Sequence, residues 1–179
     1  MSVPACIFVR IAEVKIWTEE QAVTENPTIG MVLEQDHRQI DAHFETFAEG
    51  LANGRIERAE LLAASDALRH HIWVEEELHF PPLRAAGLMG PVLVMLREHG
   101  EIWDLLDRIE SLLDAESAAL TATFGHLKAI LDEHNFKEER IVYPAGDEQL
   151  DPETMAGIRS AFDTGTRPAG WVCQMAGRA

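Results

Sequence analysis

A chain of 179 residues, 46% of them apolar, is long enough for one domain with a sizeable core and is not disordered in composition. Its formal net charge is -16, from 15 basic and 31 acidic residues. A surface that negative repels phosphate backbones and anionic lipid, so nucleic acid and membrane surfaces are poor partners, while cations are attracted.

Residues 1–27 form an N-terminal extension in which the Ile- and Val-rich run from Ala5 to Trp17 reads as a strand, as an extra helix packed on the main body, or as a partly disordered segment. Arg10, Glu13 and Lys15 interrupt that run, and it lacks a basic leader and a small-residue cleavage site, so it does not read as a signal peptide. With no long uninterrupted apolar run, a cytoplasmic protein is the expectation. Four long helices follow. The first spans 28–51 and stops near Asn53-Gly54. The second spans 57–78 and is expected to be stopped by Pro81-Pro82. After the turn AAGLMGP, a third helix with Pro91 in its first turn runs to Ala115. A fourth spans 117–142 and is expected to end before Pro144. Asp151-Pro152 opens a short fifth helix to Phe162, and the tail TGTRPAGWVCQMAGRA reads as loop.

Apolar residues recur at alternating spacings of three and four. The stripes are Leu33, His37, Ile40, Phe44, Phe47, Leu51; then Leu61, Ala64, Leu68, His71, Glu75, Leu78; then Val92, Leu96, His99, Trp103, Leu106; then Leu120, Phe124, Leu127, Leu131, His134, Glu138, Ile141. Four such stripes with short connections predict an all-α fold, an antiparallel up-down four-helix bundle over 28–145. The remainder, 146–179, is a short helix and C-terminal tail.

Each stripe carries a histidine near its middle, and two carry a glutamate one turn later. An unpartnered buried polar group costs roughly 1–3 kcal/mol and an isolated charge far more, so six at similar depth must satisfy one another. A metal centre satisfies them all. Residues i and i+4 share a helix face, so His71 with Glu75, and His134 with Glu138, can reach one point. The segments HIWVEEELHFP (71–81) and HNFKEERIVYP (134–144) both fit H-x3-E-E-x3-[FY]-P. His37 precedes His71 by 34 residues and His99 precedes His134 by 35. Two similar hairpins, each supplying His and then His-x3-Glu, suit a pair of metals. Four imidazoles and two bridging carboxylates give each metal four protein ligands and leave places for an oxo or hydroxo bridge and an exogenous molecule. Imidazole and carboxylate without thiolate suit two iron ions, with manganese or zinc less favoured.

At these residues the chain resembles the hemerythrin-like HHE cation-binding family, over residues 28–145. The resemblance implies a four-helix bundle holding a carboxylate-bridged non-haem di-iron site with His37, His71, Glu75, His99, His134 and Glu138 as metal ligands. Oxygen carriers of that family have a second histidine where Trp103 stands, and an aspartate five residues after the fourth-helix histidine, where this chain has Glu138 at four. The set is more similar to proteins of the repair-of-iron-centres type and related bacterial proteins. With Trp103 there, chemistry on O2, hydrogen peroxide or nitric oxide is expected over reversible O2 carriage. The alternatives are a sensor of O2, nitric oxide or iron acting through a protein partner, and iron storage or delivery to damaged iron centres. An electron donor is not identified.

Asp41, one turn after His37, reads equally as an extra ligand or imidazole partner and as the edge of its stripe. His70 is expected at the surface, His43 and His126 fall off the ligand spacing, and His79 is expected at a solvated helix end. Glu76 and Glu139 read as flanking residues, Trp73 and Trp103 as core aromatics, and Tyr143 as lying near the end of the site. Cys6 and Cys173 carry no metal-binding spacing. Two free thiols are the default, with a Cys6–Cys173 bridge left open.

Overall fold

The structure is a computed structural model, and it describes residues 27–114 and 118–178. Thr28 opens α1 (Ile29–Ala52) by accepting the Met31 N–H at 3.2 Å, the usual role of a hydroxyl at this position. The helix gives way to Asn53 and Gly54, where a φ of 71° suits glycine. Then come α2 (Arg58–Val74), α3 (Phe80–Ala85), α4 (Met89–Leu112), α5 (Ala118–Lys137), α6 (Tyr143–Gln149) and α7 (Pro152–Thr164). Asp151 caps α7 by accepting the Thr154 N–H at 2.9 Å. α1 lies along α2 and α4 along α5, while contacts of α2 with α4 and of α1 with α6 join the two halves into a helical bundle. Among the described residues no helix is long and apolar enough to cross a membrane. The N-terminal extension, Pro27 apart, lies outside the described residues, and with it Cys6 and the question of its bridge to Cys173.

The prolines correct one expectation. Neither Pro81 nor Pro144 stops its helix. A turn of π-helix, Glu75–His79, carries α2 into α3, and a second, Glu138–Val142, carries α5 into α6. The Phe80 N–H donates to the Glu75 carbonyl and the Tyr143 N–H to that of Glu138, each five residues back. A proline inside an α-helix lacks its N–H and strikes the carbonyl four residues back. After a π turn each proline instead enters a new first turn, where the missing N–H matters little.

The extra residue in each π turn also shifts the apolar stripe by one. Ile141, expected inside, is 52% exposed, and Val142 and Tyr143 are buried in its place. On the other half Leu78 is only half-buried, while His79 and Phe80 are buried. The core falls into two apolar clusters. One contains Ile40, Phe44, Leu68, Ile102, Phe124 and Leu131, and the other Leu33, Val74, Phe80, Leu96, Val142 and Tyr143. Each stripe passes from one cluster to the other at its histidine.

The C-terminal tail is not helical, as expected, but it is docked. Trp171 Nε1 donates to Glu77 at 2.9 Å, the Gln174 N–H to Glu76 at 2.9 Å and the Gly177 N–H to Asp104 at 2.8 Å. Gly100 lets the tail approach α4, since a Cβ there would stand 2.6 Å from the Met175 carbonyl oxygen. Because that obstacle is backbone, Gly100→Ala is expected to lift the tail and destabilise the protein by about 1–3 kcal/mol. Denaturant unfolding and faster amide exchange at Gln174 and Gly177 report it. An unchanged midpoint with unchanged exchange would contradict this packing.

Candidate metal centre

Helical periodicity puts His37 on α1, His71 on α2 with Glu75 opening its π turn, His99 on α4, and His134 on α5 with Glu138 opening the other π turn. The structure brings these six into one buried layer, none more than 4% exposed. Two groups of ligand-type atoms each fall within 4.8 Å of one another: Glu75, His99, His134 and Glu138, and His37, His71 and Glu138. His37 Nε2 and His71 Nε2 are 3.1 Å apart. Glu75 Oε2 is 3.2 Å from His99 Nε2 and 3.5 Å from His71 Nε2. Glu138 Oε1 is 3.2 Å from His134 Nε2, and its Oε2 is 3.5 Å from His37 Nε2. Glu138 thus turns one oxygen toward each histidine pair.

The outer nitrogens explain how the rings are held. His71 Nδ1 faces Asp36 at 2.8 Å, and His134 Nδ1 faces Glu98 at 3.1 Å. His99 Nδ1 faces Glu76 at 3.0 Å, and His37 Nδ1 faces Glu139 at 3.2 Å. An ionised carboxylate only accepts, so each Nδ1 carries a proton and donates it, and a neutral ring then turns a bare Nε2 lone pair inward. These four acids are functional residues that sequence reasoning passed over or set on the flank. A signal was present: an acid stands directly before each of His37 and His99 and directly after each of Glu75 and Glu138. What the pattern lacked was the partner, which comes from another helix each time.

Four bare nitrogens and two carboxylates cannot remain buried without positive charge. In the metal-free protein protons supply it. Burial pushes each imidazole's pKa down, but the carboxylates around it more than reverse this, so all four sit above the ordinary value, His71 at about 10. Burial raises Glu75 and Glu138, and the facing imidazoles bring both well below the ordinary carboxylate range. Protonated rings leave a conflict, because the charge of His71 disfavours that of His37. Glu75 Oε2, His99 Nε2 and Glu138 Oε1 are also buried without a hydrogen bond. A cation between the two nitrogens of each pair removes both faults, so the donor set fits a metal.

The other residues differ from expectation in several places. Asp41 touches no imidazole and pairs with Lys128 at 3.2 Å. His79, expected in solvent, is fully buried, and neither ring nitrogen has a hydrogen-bond partner. His70 is half-buried, with Nε2 3.2 Å from the Ala161 carbonyl oxygen of α7. Trp103 is a core aromatic, edge-on to Trp171 and under the Arg69 guanidinium. The Tyr143 hydroxyl is at the centre of the layer, 3.0 Å from Glu75 Oε1, from Glu138 Oε2 and from His37 Nε2, and 3.3 Å from His71 Nε2. Burial and the charges of Glu138 and Glu75 push its pKa well above the ordinary phenol value.

Residues 28–145 match the family model of the hemerythrin HHE cation binding domain. No curated protein and no solved structure matches the chain.

An imidazole whose pKa rises on folding stabilises the fold fully below its ordinary value of 6.5, and the contribution is lost as pH climbs through the folded value, about 10 for His71. The depressed carboxylates act in the opposite direction, contributing above their ordinary 4.5 and losing it in acid. The metal-free protein should therefore have a lower thermal midpoint at about pH 9.5 than at about pH 6, and added metal, which replaces those protons, should remove the alkaline loss. A midpoint flat between those pH values would contradict the assigned protonation.

Proposed function

Because the chain belongs to the hemerythrin HHE cation-binding family, we propose that its metal-binding domain holds a carboxylate-bridged pair of iron ions and uses it on O2, peroxide or nitric oxide, with redox detoxification favoured over O2 carriage. The ligands in this reading are His37, His71, Glu75, His99, His134 and Glu138. The observation that carries it is the paired arrangement: two imidazole nitrogens 3.1 Å apart on one side, His99 and His134 on the other, and both oxygens of Glu138 turned between them. Nitrogen and carboxylate donors without thiolate favour iron, with manganese or zinc less suited. The scaffold in this reading is an antiparallel four-helix bundle over 28–145, with 146–179 as an appended helix and tail.

Iron held there supplies redox electrons and open coordination positions to a small molecule. The rest is work of the chain. Asp36, Glu76, Glu98 and Glu139 keep the Nδ1 protons in place and so aim each Nε2 lone pair inward. The apolar clusters above and below keep bulk water from the layer. The Phe80 ring, stacked on His99 at 5.4 Å between centroids, holds one imidazole from the side. At the place where an oxygen carrier has another histidine, Trp103 offers no metal-binding atom, and this favours reaction over reversible carriage.

Storage or delivery of iron is the weaker reading, because ligands this buried and clamped favour retention. Sensing has one observation in its favour. The Gln174 N–H of the tail donates to Glu76, which also accepts a hydrogen bond from the His99 Nδ1–H, so a surface segment is two hydrogen bonds from the centre.

Elemental analysis and the optical spectrum of the ferric protein test the centre, with two irons per chain and an oxo-bridge charge-transfer band as the expected result. Glu75→Ala should lose the band and most of the iron. Asp36→Asn should weaken metal affinity by about 10- to 100-fold while leaving the fold intact by circular dichroism. The iron-loaded protein should consume hydrogen peroxide or nitric oxide catalytically. Consumption no faster than that by free iron would remove the redox reading.

A further inference from the structure

The two halves of the layer repeat each other closely, and the places where they differ are close together. Position by position along H-x3-E-E-x3-[FY]-P and just beyond it, His79 answers to Val142, Phe80 to Tyr143 and Leu83 to Gly146. Phe80 lies against His99. Tyr143 instead brings its hydroxyl among the polar atoms. Gly146 makes the local packing feasible, since a Cβ there would stand 2.5 Å from His79 Nε2, and His79 in turn lies against the Tyr143 ring at 5.8 Å.

Four atoms surround the Tyr143 oxygen: Glu75 Oε1, Glu138 Oε2 and His37 Nε2 at 3.0 Å, and His71 Nε2 at 3.3 Å. The two carboxylate oxygens accept only. The two nitrogens also accept only, once their rings are neutral and the Nδ1 protons point at Glu139 and Asp36. One phenol proton therefore faces four acceptors and can satisfy one of them. The distances themselves match another arrangement. Ligands held at right angles, about 2.1 Å from an octahedral ion, lie about 3.0 Å from one another. The phenol oxygen has that separation from three of its neighbours and stands 3.3 Å from the fourth, His71 Nε2, and His37 Nε2 and His71 Nε2 are 3.1 Å apart. Donor atoms of His37, His71 and Glu138 lie within 4.8 Å of one another, and the tyrosine oxygen stands within 3.3 Å of all three residues, so one ion between them would have the phenol oxygen beside it.

We propose that Tyr143 is a protein ligand, through its phenolate oxygen, to the metal ion held by His37, His71 and the two glutamates. This rests on the metal-centre reading above. On binding, the phenol proton leaves to solvent and the oxygen donates the electron pair it retains, so no redox change is needed. The two metal positions then become unequal. The ion beside His37 and His71 has five protein donors, whereas the ion beside His99 and His134 faces Phe80 and keeps the open positions. The exogenous small molecule binds on that second side.

Tyr143 is the only tyrosine in the chain, so any tyrosinate signal comes from it. The test is resonance Raman and visible absorption of the ferric, iron-loaded full chain, beside its iron content. Expected are two irons per chain, a phenolate-to-iron charge-transfer band, and tyrosinate ring modes enhanced by excitation in that band. Tyr143→Phe should lose the band and modes entirely while keeping both irons. Two irons with no tyrosinate modes in the unmodified protein would overturn the role of Tyr143 and leave the metal centre standing. A band that persists in Tyr143→Phe would overturn it equally. A chain that takes up no iron would overturn both.

Discussion

The need for positive charge in one buried layer organises the molecule. Four imidazoles and two carboxylates lie between two apolar clusters, where none can be solvated and none alone is balanced. The surroundings answer this by ranking the atoms. The four outer acids accept hydrogen bonds from the Nδ1–H groups, which turns every Nε2 inward and concentrates electron-rich atoms at two points. Protons can balance them, as the raised imidazole pKa values record, but they set His37 against His71. Shared cations balance them without that conflict. The overall acidity of the chain acts in the same direction, because it favours the approach of cations.

The two π turns are the structural device that makes this layer. Each begins at the glutamate of an H-x3-E motif and ends before the aromatic residue and its proline. A wider turn has a looser hydrogen-bond ladder, and its cost is accepted here because it performs two tasks. It lets a proline follow without ending the helix. It also rotates the next residues, so His79 with Phe80, and Val142 with Tyr143, face inward where an unbroken α-helix would have presented Leu78 and Ile141. Without that rotation the Tyr143 hydroxyl could not lie among the nitrogens.

Around the layer the structure grows less symmetric with distance. The ligand-type residues repeat in both halves, and so do the outer acids, with Asp36 standing for Glu98. Beyond them the halves diverge. α7 and its Phe162 lie over His71 on one side, at 5.6 Å between rings. On the other side the tail reaches Glu76 and passes over Gly100. Two similar helical hairpins thus supply the layer, and segments without a counterpart in the other half distinguish its two sides.

The sequence by itself determined what depends on local spacing. Alternating intervals of three and four place the helices, and the i, i+4 relation of His71 to Glu75 and of His134 to Glu138 holds on any helix, so the candidate ligands and the helical fold class were legible. The helix start near residue 28 and the turn at Asn53-Gly54 were legible for the same reason. Only the tertiary structure decided the rest. The prolines read as stops because a proline is unfavourable in a regular helix, and nothing in the local code marks a π turn that accommodates it. One inserted residue per turn then moved Ile141 to the surface and buried His79 and Tyr143. Asp36, Glu76, Glu98 and Glu139 stood beside the motif in plain view, yet each acts on a histidine of a different helix. Asp41 had the spacing of a ligand but faces Lys128 across the bundle. Periodicity reports which face of a helix a residue occupies, and the atom that meets it there is set by how the helices are packed.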